Sequence, residues 1–257
     1  MLIAITRAVS PAINDCELAF LPRQPIDVAK AIEQHRQYES CLRELGCEVI
    51  TLPPDASLPD SMFVEDPAVV VEERAVMTRM GAESRSREAN ALSLVLSRFR
   101  PLAWLRSPAT LEGGDVLRLG STLFVGLSGR TNPAGIEQLS EIVNPFGYSV
   151  HSVTVRGCLH LKSGCCPIGE RRVLANRQWI DVAPLQDCEI VDVPAEEPGA
   201  ANVLVIGDTV LVPASSPRTA ELLDRSGLRV RSIDISELQK AEAGLTCSSI
   251  LFETAVE

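Results

Sequence analysis

Residues 112–155 read EGGDVLRLGSTLFVGLSGRTNPAGIEQLSEIVNPFGYSVHSVTV and contain one complete structural repeat. The first half holds two apolar runs around Gly120, a residue typical of a hairpin turn. Asn132 and Pro133 then mark a helix start, an apolar stripe follows at helical spacing, and Gly147 marks the helix end. A third apolar run closes the stretch. The order strand, strand, helix, strand is therefore predicted.

The same order of elements recurs along the chain about every 40 to 50 residues. Three further hairpins are predicted at VEDPAVVVEERAVMTR (64–79), HLKSGCCPIGERRVLANR (160–177) and ANVLVIGDTVLVPASSPR (201–218). The two chain ends, LIAITRA (2–8) and TCSSILF (246–252), are left without a hairpin partner. Pairing them with each other completes a fifth unit, with the helix expected near residues 27–45.

This pattern predicts a single α/β domain spanning residues 1–257. The expected architecture is a five-bladed pseudo-symmetric α/β propeller of strand-strand-helix-strand repeats, closed by pairing of the C-terminal and N-terminal strands. A ring closed in this way leaves no exposed strand edge at its seam. An open α+β sheet is the alternative that the repeat pattern leaves open.

Composition limits the classes of partner. The net charge of -10 disfavours nucleic acid and acidic membranes, because phosphate binding requires clustered lysine and arginine. Apolar runs stay shorter than the roughly 18 residues of a membrane span. The eight cysteines include no C-x-x-C pair, which favours reduced thiols and a cytoplasmic location. A small cationic molecule is the expected partner, and a homodimer is one oligomeric state that the sequence allows.

Polar residues at the start of the hairpins are the candidate functional residues, because equivalent positions of a five-unit ring converge on its axis. These residues are Glu65 and Asp66, Glu112 and Asp115, His160, Asn202, and Cys247. Acidic residues beside apolar strands need a partner when they are buried, and a guanidinium matches carboxylate oxygens in bidentate geometry. The alternative is that they are solvated loop acids.

Cys247 is the candidate nucleophile, because a thiolate is the strongest nucleophile that a side chain offers near neutral pH. An isolated cysteine is most often a small buried apolar residue, so this assignment depends on the titratable groups at the equivalent positions. Among the three histidines, His160 is the candidate general acid and base. His35 is expected at the surface or at the boundary of the exposed face of a helix, and His151 is expected to be structural.

Seven motifs, in chain order, carry a resemblance that runs nearly end to end. They are LPDSMFVEDPAVV, GAESR, LEGGDVL, FVGLSGRTN, LHLKSG, AANVLV and GLTCSSIL. Together they closely resemble the dimethylarginine dimethylaminohydrolases of the guanidine-modifying superfamily, which includes arginine deiminase. The resemblance implies the five-bladed propeller and hydrolysis of asymmetric dimethylarginine or monomethylarginine to citrulline and dimethylamine or methylamine. It also implies that neither a metal nor an organic cofactor takes part.

The resemblance implies roles for four residues at the reacting end of the substrate. Cys247 would attack the guanidinium carbon and form a covalent S-alkylthiouronium intermediate. His160 would protonate the departing amine and then activate water. Glu112 would orient His160 and hold the guanidinium, and Asp66 would accept hydrogen bonds from the unmethylated nitrogen.

Other matched positions are expected to bind the amino-acid end. Arg85 and Arg130 match positions that grip the α-carboxylate, and Asp60 matches one near the α-amino group. Leu18 lies in a predicted lid loop. The remaining expected substrate-binding residues are Phe63 in the pocket wall, Glu65, Ala241 and Glu242.

One segment departs from the family pattern. The family often has an Asp-Gly pair before the nucleophile, whereas this chain reads Ala241-Glu242-Ala243. The longer acid and the missing glycine leave the preferred substrate length open. The alternatives are a deiminase or hydrolase of arginine or another guanidine, and a non-catalytic protein that binds methylarginine. Metal binding through Cys247 and His160 would be an inhibitory side property, because two ligands do not complete a tetrahedral zinc site.

Overall fold

Five three-stranded sheets form the framework of the computed structural model, which describes residues 1–254. The strands are β1 (Leu2–Arg7), β2 (Glu48–Leu52), β3 (Ala68–Val70), β4 (Ala75–Met77), β5 (Leu102–Trp104), β6 (Val116–Leu119), β7 (Thr122–Leu127), β8 (Ser149–Thr154), β9 (Cys165–Gly169), β10 (Arg172–Ala175), β11 (Glu189–Asp192), β12 (Leu204–Ile206), β13 (Thr209–Pro213), β14 (Arg229–Ile233) and β15 (Ile250–Glu253). In the sheet β6-β7-β8, the middle strand β7 pairs antiparallel with β6 and parallel with β8. The other four sheets repeat this arrangement.

The first sheet combines the two ends of the chain. β15 pairs antiparallel with β1, with Ile5 opposite Ile250, and β1 pairs parallel with β2. The predicted pairing of the C-terminal and N-terminal strands is therefore confirmed. The last three residues of the predicted domain 1–257 lie outside the described range.

Six helices accompany the sheets in the described part of the chain: α1 (Val28–Glu44), α2 (Ala89–Leu96), α3 (Pro133–Val143), α4 (Leu161–Gly164), α5 (Pro217–Arg225) and α6 (Ser236–Gln239). The predicted start of α3 is confirmed, because the Asn132 side chain accepts a hydrogen bond from the Gly135 N–H at 2.8 Å. Gly147 has φ +88° after a short 3₁₀ turn and ends this segment as expected.

The fourth repeat departs from the common pattern. Between β10 and β11 it has a 3₁₀ turn, Ala183–Leu185, where the other repeats have an α-helix. Pro184 lies inside this turn and cannot donate a helical hydrogen bond. Ile180 and Leu185 are buried and cover the face of the sheet that a helix covers elsewhere.

Five clusters of buried apolar side chains fill the spaces between neighbouring sheets. Alternate residues of each middle strand point to opposite faces, so each middle strand contributes to two clusters. Each cluster contains residues from the middle strands of two neighbouring sheets. These residues are Ile5 and Met77, Val76 and Leu123, Phe124 and Val173, Leu174 and Val212, and Leu211 and Ala4. The last pair joins the fifth sheet to the first. The ring is therefore closed, which confirms the five-bladed propeller.

The position of His35 differs from the expectation. His35 lies on α1, but its side chain is buried and its Nε2 atom lies 3.4 Å from the Glu39 carboxylate. Glu39 in turn accepts hydrogen bonds from Thr6 and Thr51, so this face of α1 carries a polar cluster against the first sheet.

Within residues 1–254, the helices are all too short or too polar to cross a bilayer.

Candidate active site

Two adjacent glycines allow the catalytic candidates to approach one another. Gly113 and Gly114 follow Glu112 in a 3₁₀ turn at the start of β6. A Cβ atom on Gly114 would lie 2.5 Å from Nδ1 of His160 and 2.8 Å from Oδ1 of Asp66. A side chain at this position would therefore displace both groups. Because Gly114 has no side chain, the His160 imidazole from the fourth repeat and the Asp66 carboxylate from the second repeat can both pack against the backbone of the third repeat.

Glu112 and His160 form a fully buried pair. The Nε2 atom of His160 lies 2.7 Å from Oε2 of Glu112. The second oxygen of Glu112 accepts hydrogen bonds from the Gly81 N–H at 3.0 Å and from Arg130 at 3.3 Å. These contacts hold the carboxylate rigidly behind the imidazole.

The electrostatics of this pair favour the ionised form of both partners. Burial alone would lower the pKa of His160, but the Asp66 charge, the hydrogen bond to Glu112 and the Asp115 charge outweigh it and raise this pKa to about 9. Burial alone would raise the pKa of Glu112, but the hydrogen bond and charge of His160 and the two nearby arginines lower it to about 2. The imidazole therefore holds a proton at neutral pH.

Cys247 lies in the 3₁₀ turn Thr246–Ser248 that precedes β15. Its Sγ atom accepts a hydrogen bond from the Gly244 N–H at 3.4 Å. Burial raises the pKa of the thiol, and the nearby Glu65 and Asp66 charges raise it further. The free protein therefore combines a neutral thiol with an imidazolium.

A second buried ion pair fixes Asp66. Nη1 of Arg85 lies 2.9 Å from Oδ2 of Asp66, and the other edge of the guanidinium binds both oxygens of Glu88 at 2.9 and 2.8 Å. The other oxygen of Asp66, Oδ1, accepts the Gly114 N–H at 3.1 Å and lies 3.8 Å from Nδ1 of His160. Asp66 therefore presents one fixed oxygen toward the imidazole.

Asp66, Glu112 and His160 place potential metal-ligand atoms within 4.8 Å of one another, the one such cluster among residues 1–254. The cationic Arg85 binds Asp66 and lies 3.9 Å from Glu112. A positive charge is therefore already built into the cluster, which reduces the gain from adding a metal cation.

Most of the predicted site residues line a single cavity. Its lining consists of Glu17, Asp60, Phe63, Asp66, Arg85, Arg130, Leu159, His160, Ala241, Glu242, Ala243 and Cys247. Glu112 lies directly behind His160. The structure adds Glu17, Leu159 and Ala243, which sequence reasoning missed. Each of the three adjoins a predicted site residue, Leu18, His160 or Glu242 respectively, and that adjacency was the available signal.

Comparison with known proteins places the chain in a family. The arginine deiminase family model matches residues 56–157. A curated relative from Pseudomonas aeruginosa, an N(G),N(G)-dimethylarginine dimethylaminohydrolase, is 37% identical over 228 residues, covering 88% of this chain and 90% of the relative. A Streptomyces coelicolor protein of the same name is 38% identical over 248 residues, covering 96% of this chain and 95% of the relative. The chain belongs to the dimethylarginine dimethylaminohydrolase family.

The family assignment agrees with the architecture. A solved structure of a cysteine-to-serine variant of the Pseudomonas aeruginosa dimethylarginine dimethylaminohydrolase, complexed with citrulline, superposes with a TM-score of 0.92 at 35% identity. The match covers 97% of this chain and 98% of the solved chain. The chain and the solved dimethylarginine dimethylaminohydrolase therefore share the propeller fold over nearly their full lengths.

Glu242, which lines the cavity, clamps the end of the predicted lid loop, AINDCELAF (12–20). Its Oε1 atom accepts hydrogen bonds from the backbone N–H groups of Ala19, Phe20 and Leu21, at 3.0, 2.6 and 2.6 Å. Glu242 adopts φ +59°, a left-handed conformation that is uncommon for a non-glycine residue. Within the described residues its Oε2 atom is buried and has no hydrogen-bond partner.

Besides Glu112, two predicted site residues, Leu18 and Glu65, lie outside the cavity lining. Leu18 packs against the hydrophobic cluster that contains Phe63, next to the clamped segment of the lid loop. The Glu65 carboxylate binds Lys162 and accepts a hydrogen bond from Thr246 Oγ1 at 2.8 Å. Glu65 and Lys162 line a separate cavity formed largely by the inner strands. Glu65 therefore contacts the turn that carries Cys247 on the side away from the cavity lined by Cys247 and His160.

Proposed function

We propose that the chain hydrolyses asymmetric dimethylarginine and monomethylarginine to citrulline and dimethylamine or methylamine. The observation that carries the proposal is the shared cavity of Cys247, Asp66 and a His160 that is hydrogen-bonded to Glu112. The two relatives named as dimethylarginine dimethylaminohydrolases support this choice of substrate.

The first chemical step forms a covalent intermediate. The Cys247 thiolate attacks the guanidinium carbon, forming a C–S bond. His160 transfers its proton to the methylated nitrogen, and the C–N bond to that nitrogen breaks as the amine leaves. The carbon then remains attached to sulfur as an S-alkylthiouronium.

The second step returns the enzyme to its starting state. The neutral His160 removes a proton from a water molecule, whose oxygen attacks the same carbon. The C–S bond breaks with its electron pair returning to sulfur, and the remaining hydroxyl proton passes to sulfur as citrulline is released, so that the neutral thiol is restored. The high pKa of His160, about 9, favours reprotonation of the imidazole for the next cycle.

The substrate itself supplies the charge that ionises the thiol. In the free protein, burial and the Glu65 and Asp66 charges raise the pKa of Cys247. A guanidinium cation bound beside Asp66 would offset those charges and favour the thiolate. The reactive thiolate would therefore form mainly when a cationic substrate occupies the cavity.

The other end of the cavity offers groups for an amino acid. We assign binding of the α-carboxylate to Arg130 and Arg85, because both residues line the cavity. Arg130 is the more available of the two, because the Arg85 guanidinium already binds Asp66 and Glu88. Asp60, the unpaired Oε2 atom of Glu242 and the backbone at Ala241 would receive the α-ammonium. Phe63 forms a wall, and Leu18 supports the lid loop that Glu242 clamps.

We propose that this reaction takes place in one catalytic domain, residues 1–257, that acts in the cytoplasm and requires neither metal nor cofactor, with a homodimer as one oligomeric state that the sequence allows. Nucleic acid and membranes are not among its proposed partners. The eight cysteines are all free thiols in the structure, which agrees with a reducing compartment.

The test is citrulline formation from a panel of guanidines. We expect citrulline from asymmetric dimethylarginine and monomethylarginine, and a much lower rate from arginine. Arginine is the critical comparison because the arginine deiminase model matches residues 56–157. Citrulline formation from arginine but not from dimethylarginine would contradict the proposal and identify the chain as a deiminase. Binding of dimethylarginine without any turnover would contradict it and identify the chain as a methylarginine-binding protein.

A further inference from the structure

We propose that Asn202 is a positioning residue that holds the nucleophile turn, residues 244–247, in register with the helix that follows His160. The inference rests on the proposed function of Cys247 as nucleophile. Asn202 belongs to the fifth repeat and lies outside the cavity that contains Cys247 and His160. Its action on the reaction is therefore indirect.

The side-chain amide of Asn202 makes three hydrogen bonds to two separate segments. Its oxygen accepts the Thr246 N–H at 3.0 Å. Its nitrogen donates to Thr246 Oγ1 and to the Lys162 carbonyl oxygen, both at 3.0 Å. The residue is only 5% exposed, so water cannot readily replace these partners.

The amide also packs against the backbone at Gly244. A Cβ atom on Gly244 would lie 2.2 Å from Cγ of Asn202, which shows how closely the backbone approaches the amide plane. The Gly244 N–H is the group that donates to the Cys247 sulfur at 3.4 Å. Asn202 therefore supports both the start of the turn and the residue immediately before the thiol.

The third hydrogen bond connects the turn to the general acid. Lys162 lies two residues after His160 in α4, and its carbonyl oxygen accepts from Asn202. Thr246 extends the same network by donating to Glu65, which binds the Lys162 ammonium group. A single amide thus couples the turn of the nucleophile to the helix that begins at His160.

Other side chains of similar size cannot make this set of contacts. A leucine would leave the Thr246 N–H and the Lys162 carbonyl buried without partners. A serine is too short to bridge both segments. An aspartate retains the acceptor for the Thr246 N–H but loses both donors.

Asn176 provides a matched control. It is equally buried, at 6% exposed, and its amide also bridges two backbone groups, the Pro198 carbonyl oxygen and the Gln178 N–H. These contacts lie away from the Cys247 cavity. Asn176→Ser should therefore perturb folding to a similar extent without affecting the nucleophile turn.

The experiment compares Asn202→Ser with Asn176→Ser in the full chain. Iodoacetamide alkylation of Cys247 is followed as a function of pH by mass spectrometry of tryptic peptide 241–257, in which Cys247 is the sole cysteine. For Asn202→Ser we expect the alkylation profile to move to higher pH, because a displaced turn loses the Gly244 N–H that stabilises the Cys247 thiolate. We also expect kcat with dimethylarginine to fall on the order of 10- to 100-fold, with a smaller change in KM, because a displaced nucleophile mainly affects the chemical step. Asn176→Ser should leave both measurements unchanged.

An unchanged alkylation profile and kcat in folded Asn202→Ser would overturn the inference, and so would equal changes in Asn176→Ser. If Asn202→Ser does not fold, the isosteric Asn202→Asp replaces it, with kcat again expected to fall and an unchanged kcat again contradicting the inference. The alkylation measurement needs no substrate. A shifted profile in a protein that hydrolyses no guanidine would therefore support the role of Asn202 while refuting the proposed function.

Discussion

Removing the Glu242 carboxylate should open the lid loop by an amount that can be worked out from its hydrogen bonds. Glu242 Oε1 accepts three backbone N–H groups, those of Ala19, Phe20 and Leu21. A net hydrogen bond contributes about 0.5–1.5 kcal/mol, and the lower half of that range applies because this loop is partly exposed. The three bonds together stabilise the closed loop by about 1.5–3 kcal/mol. Glu242→Ala should therefore shift the ratio of open to closed loop about 10- to 100-fold toward open.

The assay is amide hydrogen exchange at residues 19–21, combined with KM for dimethylarginine. Exchange of these three amides should accelerate by about the same 10- to 100-fold in Glu242→Ala, and KM should rise. Glu242→Gln keeps an acceptor oxygen and should show a smaller effect. Glu221→Ala removes an exposed acid on α5 and controls for the loss of charge. Unchanged exchange at residues 19–21 in folded Glu242→Ala would refute the clamp.

Three further predictions concern the Glu112–His160 pair and its surroundings. In the substrate-free protein, an NMR titration should show His160 losing its proton as pH rises through about 9; an imidazole that is already neutral at pH 7 would contradict its role as proton donor. Glu112→Gln should lower the histidine pKa, measurable by NMR, and reduce kcat by roughly 10²-fold or more; a variant with an unchanged pKa would show that the pair is not coupled. Gly114→Ala should cost about 1–3 kcal/mol of unfolding free energy in chemical denaturation and most of the activity, because its Cβ meets His160 at 2.5 Å. Gly135→Ala is an equally crowded control away from the cavity and should lose stability with a smaller loss of kcat; equal losses of kcat would contradict the specific effect.

The Glu112–His160 pair also links pH to stability with a defined sign. The His160 pKa is raised in the folded state, so its contribution is fully present below the unfolded value of about 6.5 and is lost as pH rises through about 9. The Glu112 pKa is lowered to about 2, so its contribution is present above about 4.5 and is lost as pH falls toward 2. The pair therefore contributes most to stability between about pH 4.5 and 6.5.

The repeat architecture was predictable because it depends on local signals. Hairpin turns such as that at Gly120, the Asn132 cap and the apolar periodicity each report on a few neighbouring residues. The missing helix of the fourth repeat was not predicted, because apolar residues such as Ile180 pack against the sheet without helical periodicity. The burial of His35 was also not predicted. Glu39 lies four residues after His35, and a pair with this spacing occurs on exposed and on buried helix faces alike.

The convergence of Asp66, Glu112 and His160 was predictable from their equivalent places in the repeats. The partners that come from other repeats were not predictable, and nothing in the sequence shows that Glu65 faces Lys162. The Arg85–Glu88 pair, three residues apart in one segment, had a local signal that sequence reasoning missed. Side-chain direction across a ring depends on the packing of all five sheets, which no local pattern encodes.

The most direct test of the central claim is the reaction of dimethylarginine with the unaltered protein and with Cys247→Ser. Citrulline is measured in both, and peptide 241–257 is analysed by mass spectrometry after acid quenching. The account predicts citrulline and a transient covalent adduct on that peptide in the unaltered protein, with neither in Cys247→Ser, which should still bind citrulline. Citrulline formation at an undiminished rate by Cys247→Ser would contradict the account.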